Sequence, residues 1–133
     1  MIYGIGIDLV DIRRMEKVIE RWGARFVNRV FTADEVKICE KRAFPPASFA
    51  LRFAAKEAFS KALGLGMKEG LRWRDIEVFH YPGGRPGLKT HGRSSEICRE
   101  GNIAGIHLSL SDEKDYGMAM VLLETRDETR KGV

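Results

Sequence analysis

Two carboxylates stand out by where they fall. Asp8 lies inside Ile-Gly-Ile-Asp-Leu-Val, an apolar run in which an acid is unexpected, and Glu57 lies in the middle of an alanine-rich helical segment. Carboxylates brought together from separate elements can hold Mg²⁺, which keeps several waters and takes its remaining oxygens from a substrate phosphate. The alternative for Glu57 is a helix-surface charge paired with Lys61 at the favoured i,i+4 spacing. For Asp8 it is a turn or strand-edge aspartate. Arg52, Lys56 and Lys61 recur at intervals that can put them on one helix side. With the turn at Gly64-Leu65-Gly66 they could bind a pyrophosphate or a phosphate monoester. A solvated helix face is the bland alternative.

Other constellations are weaker. His107, Ser109 and Ser111 share one strand face, opposite Ile106, Leu108 and Leu110. No G-x-S-x-G elbow is present, which argues against a serine hydrolase. His80 and His91 show no ligand spacing to His107. Gly64-Leu65-Gly66 follows a helix rather than a strand, so it is no dinucleotide fingerprint; it reads as a helix stop with exposed backbone N–H groups. Arg14, Arg21 and Arg25 form a basic face on the first helix that could meet phosphates or an acidic protein helix. Trp22 belongs to the apolar stripe of that helix, and poor aromatic interleaving argues against single-stranded nucleic acid.

The elements that must position these groups follow from periodicity. Ile5, Ile7 and Leu9 alternate with Gly4, Gly6 and Asp8, which is strand period. The glycines would let another backbone approach closely on the face that Asp8 shares. Met15, Val18, Ile19 and Trp22 follow helical spacing. Thr32 to Glu35 is a capping box opening a short helix through Val36 and Ile38. Pro45-Pro46 ends that region, and Pro46 can begin the next helix. Ala47 to Leu63 is the strongest helix, striped by Phe49, Phe53, Ala54 and Ala58 and stopped by Gly64.

Later periodicity is that of strands. Ile76 to Tyr81 reads as a strand, Pro82 to Pro86 as a turn, and Gly87 to Thr90 as the return strand. Arg93 to Glu100 can be a short helix. Ile106 to Ser111 alternates, Asp112 to Asp115 is a polar turn, and Tyr116 to Glu124 is a final apolar strand, with 124–133 a charged frayed tail. Helices early and strands late predict an α+β fold, helices packed on a mostly antiparallel sheet, in a single domain over 1–133.

Composition bounds the rest. The 133 residues are 44% hydrophobic and 32% charged, which suits one globular domain. Lys plus Arg exceeds Asp plus Glu by 23 to 19, a net charge of +4. That surplus favours an anionic partner without choosing one. Cys39 and Cys98 lie far apart, which excludes a disulfide scaffold and a cysteine zinc site and fits a reducing cytoplasm. No apolar run approaches the ~18 residues of a membrane span. MIYGIGIDLVDI has no basic stretch ahead of its apolar residues and does not read as a signal peptide.

Taken together, the segments resemble a known family. GIDLVDIRRM at Gly6 to Met15 and RFAAKEAFSKALGLG at Arg52 to Gly66 are similar to the two signatures of holo-[acyl-carrier-protein] synthase, the short bacterial form of the 4′-phosphopantetheinyl transferases. GGRP at Gly83 to Pro86 and IHLSLSDEKDYGMAMV at Ile106 to Val121 resemble its later segments. Order, spacing and length all fit, over nearly the whole chain.

The resemblance implies a 4′-phosphopantetheinyl transferase-like fold. It implies Mg²⁺-dependent transfer of 4′-phosphopantetheine from coenzyme A to a serine of apo acyl carrier protein, in fatty acid biosynthesis, releasing adenosine 3′,5′-bisphosphate. It also implies a cytoplasmic homotrimer with active sites between subunits, and neither nucleic acid nor membrane as partner. Asp8 and Glu57 then match the metal residues, and Lys61 a catalytic lysine near the pyrophosphate. Arg52 and His107 fall where the family contacts coenzyme A, Arg52 near the 3′-phosphate. Gly64 would offer backbone to phosphate, and Gly84, Arg85 and Pro86 would line the adenine end. Arg14, Arg21 and Arg25 would grip the acidic carrier.

Asp112 stands where the family usually has a histidine near that phosphate, so either it turns away or other cations carry the contact. The competing readings are a basic nucleic-acid-binding module and an inactive regulator that binds coenzyme A or a carrier protein.

Overall fold

The computed structural model describes residues 1–126. Strand β1 (Ile2–Asp11) runs directly into helix α1 (Ile12–Trp22). Asp11 makes that turn by accepting a hydrogen bond from the Arg13 amide at 2.9 Å. Gly23 ends α1 at a positive φ of 54°, and α2 (Ala24–Val30) follows. The three arginines expected on one helix are therefore divided: Arg14 and Arg21 lie on α1, Arg25 on α2.

Helix α3 (Ala33–Glu40) opens with the expected capping box. The Glu35 amide donates to Thr32 Oγ1 at 3.2 Å, and the Thr32 amide donates to Glu35 Oε1 at 3.0 Å. Helix α4 (Pro45–Ala62) takes both prolines into its first turn, where no helical N–H bond is lost. A 3₁₀ turn at Trp73–Asp75 leads to β2 (Ile76–His80), β3 (Pro86–Thr90), α5 (Gly92–Glu100), β4 (Ile103–Glu113) and β5 (Tyr116–Thr125).

The fold is α+β. Strands β1, β5 and β4 form an antiparallel sheet in that order, and β2 and β3 form a separate antiparallel pair. β4 continues through Asp112 and Glu113, so the polar turn is shorter than its composition suggests. Glu124 and Thr125 belong to β5, and the Thr125 amide donates to the Met1 carbonyl at 2.8 Å. This corrects the expected tail at its start; 127–133 lie outside the described residues.

Helix α4 packs on the glycine face of β1. A Cβ on Gly6 would strike the Ala58 carbonyl oxygen and lie 2.7 Å from the Ala62 amide nitrogen; one on Gly4 would strike the Ala62 carbonyl. The same side of α4 meets Ala119, Val121 and Leu123 of β5 in the main core. Its other side belongs to a second core with Ile12, Met15, Val27 and Phe31, where the Phe31 and Phe49 rings sit 4.9 Å apart.

Because α4 has protein on both sides, its charged residues do not share one solvent face. Lys56 is fully buried against equally buried Glu35, Nζ to Oε1 at 2.8 Å. Its ammonium also donates to the carbonyls of Trp73 and Ile76, while the Val78 amide donates to Glu35 Oε2 at 3.0 Å. Burial pushes the Lys56 pKa down and the Glu35 charge partly restores it. This pair ties α3, α4 and β2 together, and the expected cationic face of Arg52, Lys56 and Lys61 does not exist.

The other face of the sheet is apolar and uncovered. Ile5, Ile7 and Leu9 are 57%, 53% and 63% exposed, beside exposed Met118 and Met120 of β5. Gly6→Ala should lower stability by about 1–3 kcal/mol or more, because the obstacle is helix backbone rather than a movable side chain. Urea denaturation measures this; an unchanged midpoint would mean that β1 and α4 are not in such close contact.

Candidate active site

The close approach of β1 to α4 sets Asp8 beside Glu57. Both line one cavity of about 420 Å³ together with Arg14, Phe26, Phe53 and Lys61. Lys61 does not form the i,i+4 ion pair with Glu57. Its Nζ donates to Asp8 Oδ1 at 3.0 Å and to the Ile7 carbonyl at 3.1 Å. The Glu57 carboxyl is held above the usual carboxylate range, first by burial and then by the Asp8 charge, with Lys61 opposing. The acids are thus close enough to feel each other.

Among the described residues no cluster of three or more His, Cys, Asp or Glu could enclose a metal. A cation at this pair must complete its shell with water or substrate oxygens. That requirement suits Mg²⁺ with a phosphate substrate, so these residues fit the ion.

Arg52 lies elsewhere on α4 and is only 3% exposed. Its Nη1 donates to Ser48 Oγ at 2.6 Å, but Nε and Nη2 have no hydrogen-bond partner among the described residues. It lines a cavity of about 340 Å³ with Arg42, Ser48, His80 and Leu110. Burial, then the charges of Arg52 and Arg42, push the His80 pKa down. A buried guanidinium with unpartnered donors beside a second arginine favours a negative charge nearby. Arg42 and His80 were missed in the sequence, where nothing in the spacing ties either to α4.

The remaining candidates scatter. His107 shares the exposed face of β4 and hydrogen-bonds Glu124. Leu110, on the opposite face by strand alternation, lines the Arg52 cavity, so one chain does not bring Arg52 and His107 together. Gly84, at φ 99°, turns the chain after His80, and Arg85 places its guanidinium 4.6 Å from the Tyr81 ring centroid, just before Pro86 opens β3.

The Gly64 amide donates to the Lys61 carbonyl at 2.9 Å. The expected row of free donors there is instead a satisfied helix end, with Gly64 at φ 80°. Asp112 lines a different cavity, with Ser111, Asp115 and Tyr116. Arg14 borders the Asp8–Glu57 cavity, Arg21 stacks 5.1 Å from the Trp22 ring centroid, and Arg25 lines a neighbouring cavity with Phe26 and Arg29.

This acid pair, flanked by a lysine and by a separate cationic cavity, is carried on a fold with known relatives. Residues 4–121 match the model of the 4′-phosphopantetheinyl transferase superfamily, and the chain belongs to that family. A holo-[acyl-carrier-protein] synthase of Syntrophus aciditrophicus is 46% identical over 124 residues, covering 93% of this chain and 97% of the relative. The crystal structure of the Neisseria meningitidis holo-[acyl-carrier-protein] synthase superposes with a TM-score of 0.88 at 36% identity, over 94% of this chain and all of that one. The Helicobacter pylori holo-[acyl-carrier-protein] synthase, solved in complex with coenzyme A, gives a TM-score of 0.80 at 32% identity, over 90% of this chain and 99% of that one.

Arg52→Met should leave stability unchanged or raise it by about 1–3 kcal/mol, because it removes buried donors that have no partner. Inorganic phosphate should raise the melting temperature of the wild type and not of this variant. A large loss of stability in Arg52→Met would instead give the guanidinium a structural role.

Proposed function

We propose that the chain transfers 4′-phosphopantetheine from coenzyme A to a serine of apo acyl carrier protein, leaving adenosine 3′,5′-bisphosphate. The observation that carries this reading is the convergence of Asp8, Glu57 and Lys61 in one cavity of a phosphopantetheinyl transferase fold. The coenzyme A held by the Helicobacter pylori relative supports the donor. The names of the relatives support the acceptor and, through it, a place in fatty acid biosynthesis.

In the reaction the serine Oγ bonds to the phosphorus next to pantetheine, and the bond from that phosphorus to the bridging oxygen breaks. The electron pair leaves with the bisphosphate. Glu57 takes the serine proton, directly or through a water. Asp8 and Glu57 would hold the Mg²⁺, which would supply positive charge against the pyrophosphate. Lys61 turns from Asp8 to balance the leaving bisphosphate. The open donors of Arg52 take the 3′-phosphate, with Gly84, Arg85 and Pro86 toward the adenine and Gly64 bordering the phosphates. Arg14, Arg21 and Arg25 attract the acidic carrier over a distance set by ionic strength.

Assembly belongs to the same reading. The uncovered apolar sheet face suits a homotrimer, and His107 can meet a nucleotide bound at Arg52 when it comes from a neighbouring copy. Two free, buried cysteines agree with a cytoplasmic location.

Incubation with coenzyme A, Mg²⁺ and apo acyl carrier protein should raise the carrier mass by one phosphopantetheine. EDTA or Glu57→Gln should abolish the increase with the fold retained. A folded protein that binds coenzyme A but adds no mass would be a regulator, and near-normal turnover by Glu57→Gln would end the metal and base assignment. Ile7→Asp should convert the assembly to monomers by sedimentation and take activity with it; an active monomer would remove the shared site.

A further inference from the structure

The cavity that holds Asp8 and Glu57 continues along the surface. Phe26 lines it and also lines a second cavity with Trp22, Arg25 and Arg29. Arg29 in turn borders a third, of about 680 Å³, with Met67, Leu71, Arg72, Trp73 and Arg74. Each cavity shares a lining residue with the next, Phe26 and then Arg29, so the three follow one another from the acids to the 3₁₀ turn. The Trp73 ring is stacked on Phe53 at 4.9 Å and 19°, and Phe53 lines the acid cavity, so the far end is packed against the near one.

The far end is cationic and lacks counter-ions. Arg29, Arg72 and Arg74 are exposed, and among the described residues none of their side chains enters an ion pair or hydrogen bond. Asp75 is the one acid on that wall. Arg29 follows Arg25 by four residues on α2, so they share a helix face that points the basic path toward Arg72 and Arg74. Three guanidiniums around one groove repel each other and favour an anionic occupant.

The groove favours an acidic protein over a nucleic acid. Its floor is apolar, through Met67 and Leu71, and the Trp73 face nearest Phe53 is already occupied, which leaves a poor base-stacking platform. Basic side chains around an apolar floor match an acidic helix with a hydrophobic side.

We propose that Arg29, Arg72 and Arg74 are a distal anchor for the acidic carrier protein, which lies along the groove from the Asp8–Glu57 cavity to the 3₁₀ turn. This rests on the carrier being the acceptor. Arg72 and Arg74 then act on acceptor affinity and not on chemistry.

The test is the steady-state kinetics of the full chain carrying R72E and R74E. KM for apo acyl carrier protein should rise about tenfold at low ionic strength, and the difference should shrink as salt is added. KM for coenzyme A and kcat should stay within about twofold, and R72K/R74K should restore most of the affinity, as a charge effect requires. If R72E/R74E loses stability, R72Q/R74Q is measured instead, with the same direction expected at smaller size. Wild-type KM in these variants, while Arg14→Glu raises it, would overturn the anchor and leave the transfer reaction standing. Loss of oligonucleotide binding with the carrier KM unchanged would also overturn it. Failure of the wild type to modify the carrier at all would identify the reaction itself as the error.

Discussion

The distance between β1 and α4 governs this molecule. Gly4 and Gly6 present backbone alone to the helix, and the carbonyls of Ala58 and Ala62 occupy the space where side chains would stand. Asp8 is next on the same strand face, and Glu57 and Lys61 are on the helix turns that come down onto it. A wider spacing would part the two acids and take Lys61 away from Asp8, since none of the three has another element to bring it across. The apolar packing of Ala119 and Val121 against α4 holds the spacing from the neighbouring strand.

Helix α4 also shows one residue type put to opposite uses. Lys56 and Arg52 are both buried cations, four residues apart. Lys56 meets a carboxylate and two carbonyls, all its donors are answered, and it braces three elements. Arg52, which borders a cavity, meets one serine and leaves two buried nitrogens without a hydrogen-bond partner among the described residues. A buried donor without a partner costs stability that nothing inside the chain returns. Such a cost is sensible where a ligand supplies the missing acceptors, and an answered donor has no such capacity left.

Much of this was legible in the residues and some was not. The Gly–Asp alternation of β1 announced both the close approach and the face of Asp8, because strand period leaves no freedom there. The capping box and the paired prolines marked helix starts to within a residue or two for equally local reasons. Arg25 was misplaced because Gly23 breaks a pattern that otherwise continues across it. The burial of Lys56 and Arg52 is not legible locally, because burial of α4 on both sides depends on α3 and β2, far away in sequence. The only local hint was the scarcity of charge on an 18-residue helix, which leaves no proper polar face. Arg42 and His80 gave no hint, since a loop and a strand end meet α4 only in the fold.

The charge distribution separates the two substrates of the proposed reaction. Arg52 and Glu57 are about 140° apart around the helix, so their cavities open on different sides of it. One side offers buried, geometrically fixed donors; a small anion held there is desolvated and gains short charge-assisted bonds. The other offers exposed arginines on α1, α2 and the 3₁₀ turn, which act over a Debye length and tolerate a range of orientations. A nucleotide needs the first kind of site and a protein the second. The acids lie on the second side, where Arg14 borders their cavity, and among the described residues no arginine ion-pairs with them: Lys61 bonds Asp8. If the buried site and the exposed path were exchanged, the small ligand would be loosely placed and the protein would have to desolvate a guanidinium to dock. The arrangement therefore follows from the sizes of the two anions, independently of which carrier is served.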